Sequence, residues 1–173
     1  MTELADWAPN SHALVVHLPI GLLVTAVFVD LLAVVRQNRA TLVRVSIGLH
    51  LTGTVMLIVA YLTGRNAAPE VFTPGLAQAV VAQHWDQALW CVWYFGLATA
   101  GRAGLQVRHE LGRNAAVGLA VVGIGGVLLL ATTAELGGRL VYEHGVGVAA
   151  PLSYHSTIAQ PTPNQRPAAG GEP

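Results

Sequence analysis

The chain reads as an all-α integral membrane protein, a bundle of four helices, and three observations predict this. Of its 173 residues 53% are hydrophobic and only 10% are charged, where an average soluble domain carries about 25% charged residues. The apolar residues gather into four long stretches, each near the ~20 residues needed to cross about 30 Å of hydrocarbon. Arginines collect in alternate connections between those stretches, the asymmetry that orients membrane helices.

The spans are predicted at about 12–35, 41–62, 80–103 and 114–137. Asn10 and Ser11 supply helix-start chemistry before the first, because short polar side chains accept hydrogen bonds from the unpaired N–H groups of a first turn. Its ionisable residues are His12, His17 and Asp30, and Pro19 interrupts its hydrogen-bond ladder. The second span holds Arg44 and His50, the third His84 and Asp86 near its start, and the fourth Glu135 near its end. Pro69 and Pro74 break helix between spans two and three. Residues 1–11 form a short leading segment and 12–148 the transmembrane domain. Residues 149–173, rich in Pro, Gly, Gln and Thr, read as a disordered tail.

Arg36, Arg39 and Arg44 mark the first connection, and Arg102, Arg108 and Arg113 the third. The positive-inside rule makes both cytoplasmic and leaves both termini outside, as expected of a multi-pass protein of a bacterial inner membrane. Trp7, Trp85 and Trp90 fall near the expected outer interface, where amphipathic rings settle. The N-terminus is not expected to be a cleaved signal: Glu3 and Asp6 stand where a signal is basic, and the first apolar run is too long. Zero formal net charge gives no electrostatic case for nucleic acid. The single cysteine, Cys91, excludes an internal disulfide, a CxxC zinc pair and a CxxCH site for covalent haem. No nucleophile stands with a base and no phosphate-binding glycine loop occurs, so an independent enzyme is not expected.

Polar groups in hydrocarbon are costly, and each needs a reason. At about 100° per residue, Ser46, His50, Thr54 and Tyr61 share a face of span two, and His84, Gln87, Cys91 and Tyr94 share a face of span three. Gly118, Gly125 and Thr132 give span four a stripe of small residues that lets helices approach closely. All three stripes are expected to face the interior. His12 and Asp30 share a face of span one, with His17 about 140° away, and Asp30 is expected to pair with Arg36 or Arg44. By depth, His12, His17, His84, Asp86, Glu135 and His144 collect at the outer end. No internal repeat is read, although spans one and three both begin with a His-containing outer turn.

Two segments carry a family resemblance. The first is His12-Ala-Leu-Val-Val-His17-Leu-Pro19-Ile-Gly21, and the second Gly137-Gly138-Arg-Leu140-Val141-Tyr142-Glu-His144-Gly145-Val-Gly147-Val148. Together they resemble the small four-helix bacterial membrane proteins of domain of unknown function family 2231. That family opens on an HP-x-x-VHFPI type segment and closes on GG-x-LVY-x-HG-x-GV. His84 and Thr63-Gly64 match further positions of the family pattern, whereas Ala13 stands where it has Pro. The resemblance covers roughly residues 11–148. Members often occur beside or fused to c-type cytochrome domains, which implies a redox setting with c-type cytochromes or a larger redox complex as partners.

Three functions fit these residues. A small subunit associated with electron transfer could bind b-type haem through neutral imidazoles held by helices; His17 and His84 are the expected ligands, with His144 and His12 as alternates and His50 suited to a separate, deeper site. A metal-binding protein would hold zinc or copper at its periplasmic face through His17, His84, His144 and Glu135. A cofactor-free structural or assembly subunit of a larger membrane complex would use the same histidines to tie helix ends together.

Overall fold

The computed structural model describes residues 11–36, 39–69, 71–108 and 112–148; the N-terminal segment with Trp7 and the C-terminal tail lie outside them. The described residues are helical apart from short connections. Helices α1 (Ser11–Val15) and α2 (His17–Val35) form the first span, α3 (Arg39–Ala67) the second, α4 (Gln78–Val107) the third and α5 (Arg113–Tyr142) the fourth. A single 3-10 turn, Gly75–Ala77, leads into α4. The break between α1 and α2 at Val16 follows from Pro19, which has no N–H to offer the Val15 carbonyl and whose ring crowds it.

Three stretches, Ser11–Val35, Ala40–Ala67 and Arg113–Tyr142, are long and apolar enough to cross a membrane. Helix α4 is as long, but Gln83, His84, Asp86, Gln87 and Arg102 make it more polar. Helices α3, α4 and α5 have 29, 30 and 30 residues, or about 45 Å at 1.5 Å per residue. They exceed the predicted spans because hydropathy marks only the part in hydrocarbon, while the helix continues into the headgroups.

The protein is inside-out relative to a soluble bundle. Phe28, Leu51, Leu62, Trp90, Trp93, Leu97 and Leu128 are exposed on its flanks, whereas Asp30, Ser46, His50, Thr54, Thr99, Arg102 and Thr133 are buried. Lipid solvates the first set, and the second must find partners within the protein. Spans two and three turn the expected stripes inward in part: Ser46, His50, Thr54 and Cys91 are buried, and Tyr61, His84, Gln87 and Tyr94 are half-buried. Span four does not: Gly118 and Thr132 are exposed, and Ala116, Ala120, Gly123, Gly126, Leu130 and Thr133 face inward instead. Small residues occur on both sides of α5, and one exposed to lipid costs little, so their spacing alone could not choose the face.

In the bundle α2 packs on α3 and α5, and α4 packs on α3 and α5, which sets α2 diagonally across from α4. The two hairpins, α1–α3 and α4–α5, do not repeat in sequence, but they set residues in corresponding places. First-helix positions recur 72 residues later and second-helix positions 73 later. Leu23 and Leu57 correspond to Phe95 and Leu130, and these four meet in one apolar cluster with Cys91. Gly53 presses on Leu23, where an added Cβ would lie 2.8 Å from Leu Cδ2; its counterpart Gly126 presses on Phe95, where one would lie 2.7 Å from Phe Cζ. Buried Val43, His50 and Ala67 correspond to buried Ala116, Gly123 and Leu140. These correspondences, with α2 and α4 on the diagonal, are those of an approximate two-fold relation between the halves, about a line along the bundle between α2 and α4.

Candidate functional site

Two polar clusters sit on that axis, separated by the apolar layer of Leu23, Leu57, Phe95 and Leu130. The first lies toward the end that carries Arg36 and Arg113, here the arginine end. Asp30 on α2 and Arg102 on α4 are counterparts in the repeat and meet across the diagonal. Arg102 donates twice to the carboxylate, Nη1 to Oδ1 at 2.8 Å and Nη2 to Oδ2 at 2.6 Å. The His50 Nε2–H donates to Oδ2 at 3.0 Å and the Ser46 hydroxyl donates to Oδ1. Bidentate guanidinium pairing plus these two donors gives the buried carboxylate the partners that hydrocarbon denies it. His50 Nδ1 and Arg102 Nε are buried and find no hydrogen-bond partner among the described residues. One turn further along, Thr54 and Thr99 share a hydrogen bond of 3.0 Å.

Asp30 therefore pairs with Arg102 rather than with Arg36 or Arg44, as its place in sequence suggested. Arg36 and Arg44 are exposed, and Arg44 bonds its own helix at the Ala40 carbonyl. The partner comes from the diagonal helix because Asp30 and Arg102 are both buried in the middle of the bundle.

The second cluster lies at the other end, here the histidine end. His12 on α1 reaches α3, where its Nδ1 lies 2.9 Å from the Ala60 carbonyl and 3.4 Å from the Thr63 hydroxyl. His84 on α4 reaches α5, where its Nδ1 lies 3.0 Å from the Thr133 carbonyl. A carbonyl only accepts, so each Nδ1 carries the hydrogen and each neutral ring presents Nε2 as its basic nitrogen. Each ring also lies over a glycine four residues beyond the accepting carbonyl. A Cβ on Gly64 would come within 3.1 Å of His12 Cε1, and one on Gly137 within 3.3 Å of His84 Cε1. Below them Cys91 Sγ lies 3.3 Å from the Thr133 hydroxyl, which donates to the Leu129 carbonyl at 2.9 Å.

The profile of the family described as predicted membrane protein (DUF2231) matches residues 8–150. The chain belongs to this family. No curated protein and no solved structure matches it.

The geometry accounts for much of the motif by which this DUF2231 chain was recognised. Gly137 makes room for His84. Leu140 is buried against the bundle. Gly145 ends α5 in the left-handed conformation, with φ of 65°, so that its N–H returns to the Val141 carbonyl at 3.1 Å and that of Val146 to Leu140 at 2.8 Å. A side chain would strain that turn, which is why glycine follows His144.

The remaining sequence-predicted site residues are dispersed. His17 is exposed, because His12 faces inward and five residues of helix place the next histidine on the other side. Glu135 and Asp86 are exposed as well. His50 belongs to the arginine-end cluster. His144 is half-buried past the end of α5, and its Nε2 is buried without a partner among the described residues. No three His, Cys, Asp or Glu side chains among the described residues come together in a group able to hold a metal ion, so His17, His84, His144 and Glu135 do not assemble. Sequence reasoning ranked His17 above His12 and missed the carbonyls of Ala60 and Thr133, which no side-chain pattern reveals; Thr63-Gly64 and Gly137 were the available signals.

Proposed function

We propose that this DUF2231 chain is a small redox-associated subunit of a bacterial inner membrane, holding a b-type haem between His12 and His84. One observation carries the reading: two imidazoles on different helices each donate Nδ1–H to a main-chain carbonyl. That second bond fixes tautomer and ring orientation in histidines that ligate metals, and raises the basicity of the other nitrogen. The donor set suits haem better than zinc or copper. A bare ion needs three or four protein donors, whereas a porphyrin brings four nitrogens of its own and asks for one or two axial imidazoles. When bound, the group supplies one-electron chemistry at the iron. The chain's own part is to hold the rings: the Ala60 and Thr133 carbonyls aim them, Gly64 and Gly137 leave space for them, and the apolar layer beneath keeps water out.

The positive-inside rule favours Arg36, Arg108 and Arg113 on the cytoplasmic side. Both termini, and the two imidazoles, then face the periplasm, where a c-type cytochrome or a larger redox complex can exchange electrons with the site. Expression with ample haem should give a purified protein with a Soret band, lost in His12→Ala and in His84→Ala and kept in His17→Ala. A colourless wild-type protein would sink the proposal. The same hydrogen bonds would then serve as ties between α1 and α3 and between α4 and α5, and the chain would be a structural subunit.

A further inference from the structure

We infer that His12 and His84 are equivalent axial ligands on opposite faces of one iron porphyrin, so that the iron is six-coordinate and closed to small gaseous ligands. This rests on the haem reading above and goes beyond it by assigning the coordination state, which separates an electron carrier from a gas-binding site.

The correspondence between the hairpins carries the argument. His12 and His84 occupy corresponding positions, 72 residues apart, near the start of each hairpin. Their supports correspond too: the accepting carbonyls belong to Ala60 and Thr133, and the glycines beneath the rings are Gly64 and Gly137, each pair 73 apart. Groups related by a two-fold axis lie at equal distances on opposite sides of it. The position of the axis is fixed independently at the arginine end, where the counterparts Asp30 and Arg102 touch at 2.6 Å. A planar macrocycle containing the axis would therefore meet one imidazole on each face, through nitrogens made basic by the same device.

Among the described residues no other histidine competes for either face. His17 points outward, His50 is committed to Asp30 beyond the apolar layer, and His144 lies past the end of α5. With both axial positions filled, carbon monoxide has no vacant site on the ferrous iron.

The test uses the full chain in detergent, loaded with haem, reduced with dithionite and exposed to carbon monoxide. Wild type and His17→Ala should show a Soret band that carbon monoxide does not shift. His12→Gly and His84→Gly should each lose the Soret band, as the alanine variants do, and free imidazole should restore the wild-type spectrum in both. The rescue arm separates loss of a ligand from loss of the fold. Stoichiometric carbon monoxide binding by wild type would overturn the inference while leaving a haem protein. So would an effect confined to one of the two histidines. Absence of any Soret band in wild type would overturn the haem reading itself.

Discussion

The two ends of the bundle use the same axis for opposite purposes. At the arginine end, counterparts of the repeat have diverged into unlike charges, Asp30 and Arg102, that satisfy each other in direct contact. At the histidine end the counterparts remain alike, and each imidazole turns its Nδ1–H to a carbonyl of its own hairpin. One cluster pairs its charges within itself and leaves only His50 Nδ1 and Arg102 Nε without partners among the described residues. The other keeps its two basic nitrogens out of the bonds that hold it. The contrast separates polar residues that satisfy one another across the bundle from polar residues tied to the main chain of their own hairpins.

Breaking the arginine end should have the largest effect. Arg102→Leu leaves the Asp30 carboxylate buried without its charge partner and should cost about 3–5 kcal/mol, read as a fall in the unfolding midpoint in mixed detergent micelles. Replacing Asp30 and Arg102 together by leucine should recover most of that loss, since a buried ion pair and an apolar pair of similar volume are close in energy. If the double variant is as unstable as the single one, the cluster does more than neutralise its own charges. Next comes the apolar layer: Gly126→Val forces a methyl-bearing carbon against Phe95 and should destabilise by about 1–3 kcal/mol. His84→Ala should cost less, about 1 kcal/mol for a hydrogen bond to a Thr133 carbonyl that keeps its helical one, while abolishing the Soret band. That dissociation of stability from colour is the sharpest test of the contrast. Thr54→Val removes one inter-helix hydrogen bond worth about 0.6 kcal/mol in a membrane bundle. His17→Ala, at an exposed position, should change stability by less than about 0.5 kcal/mol.

Legibility in the sequence divided along physical lines. Four apolar stretches give four helices, three of them long and apolar enough to cross a membrane because hydrocarbon thickness sets that length, and helical spacing puts Ser46, His50 and Thr54 on one buried face. Pairing across the bundle was not legible. Asp30 has Arg36 and Arg44 nearby in sequence, and only the diagonal placement of α2 and α4 brings Arg102 to it. The choice between His12 and His17 turned on which side of one helix faced inward, and the face shared by His12 and Asp30 held that answer. The correspondence of the hairpins was not legible because contacts recur while identities do not: leucine against glycine in one hairpin becomes phenylalanine against glycine in the other, and alanine's carbonyl becomes threonine's.

The Asp30–Arg102 contact also governs self-recognition. Were the two hairpins made as separate polypeptides, a hairpin meeting its own copy would set carboxylate against carboxylate, or guanidinium against guanidinium, on the axis and in hydrocarbon. Only the unlike pair neutralises itself, so the halves would assemble as a heterodimer and never as homodimers. Within the single chain, the same rule rejects exchange of a hairpin between neighbouring molecules whenever it would bring like halves together.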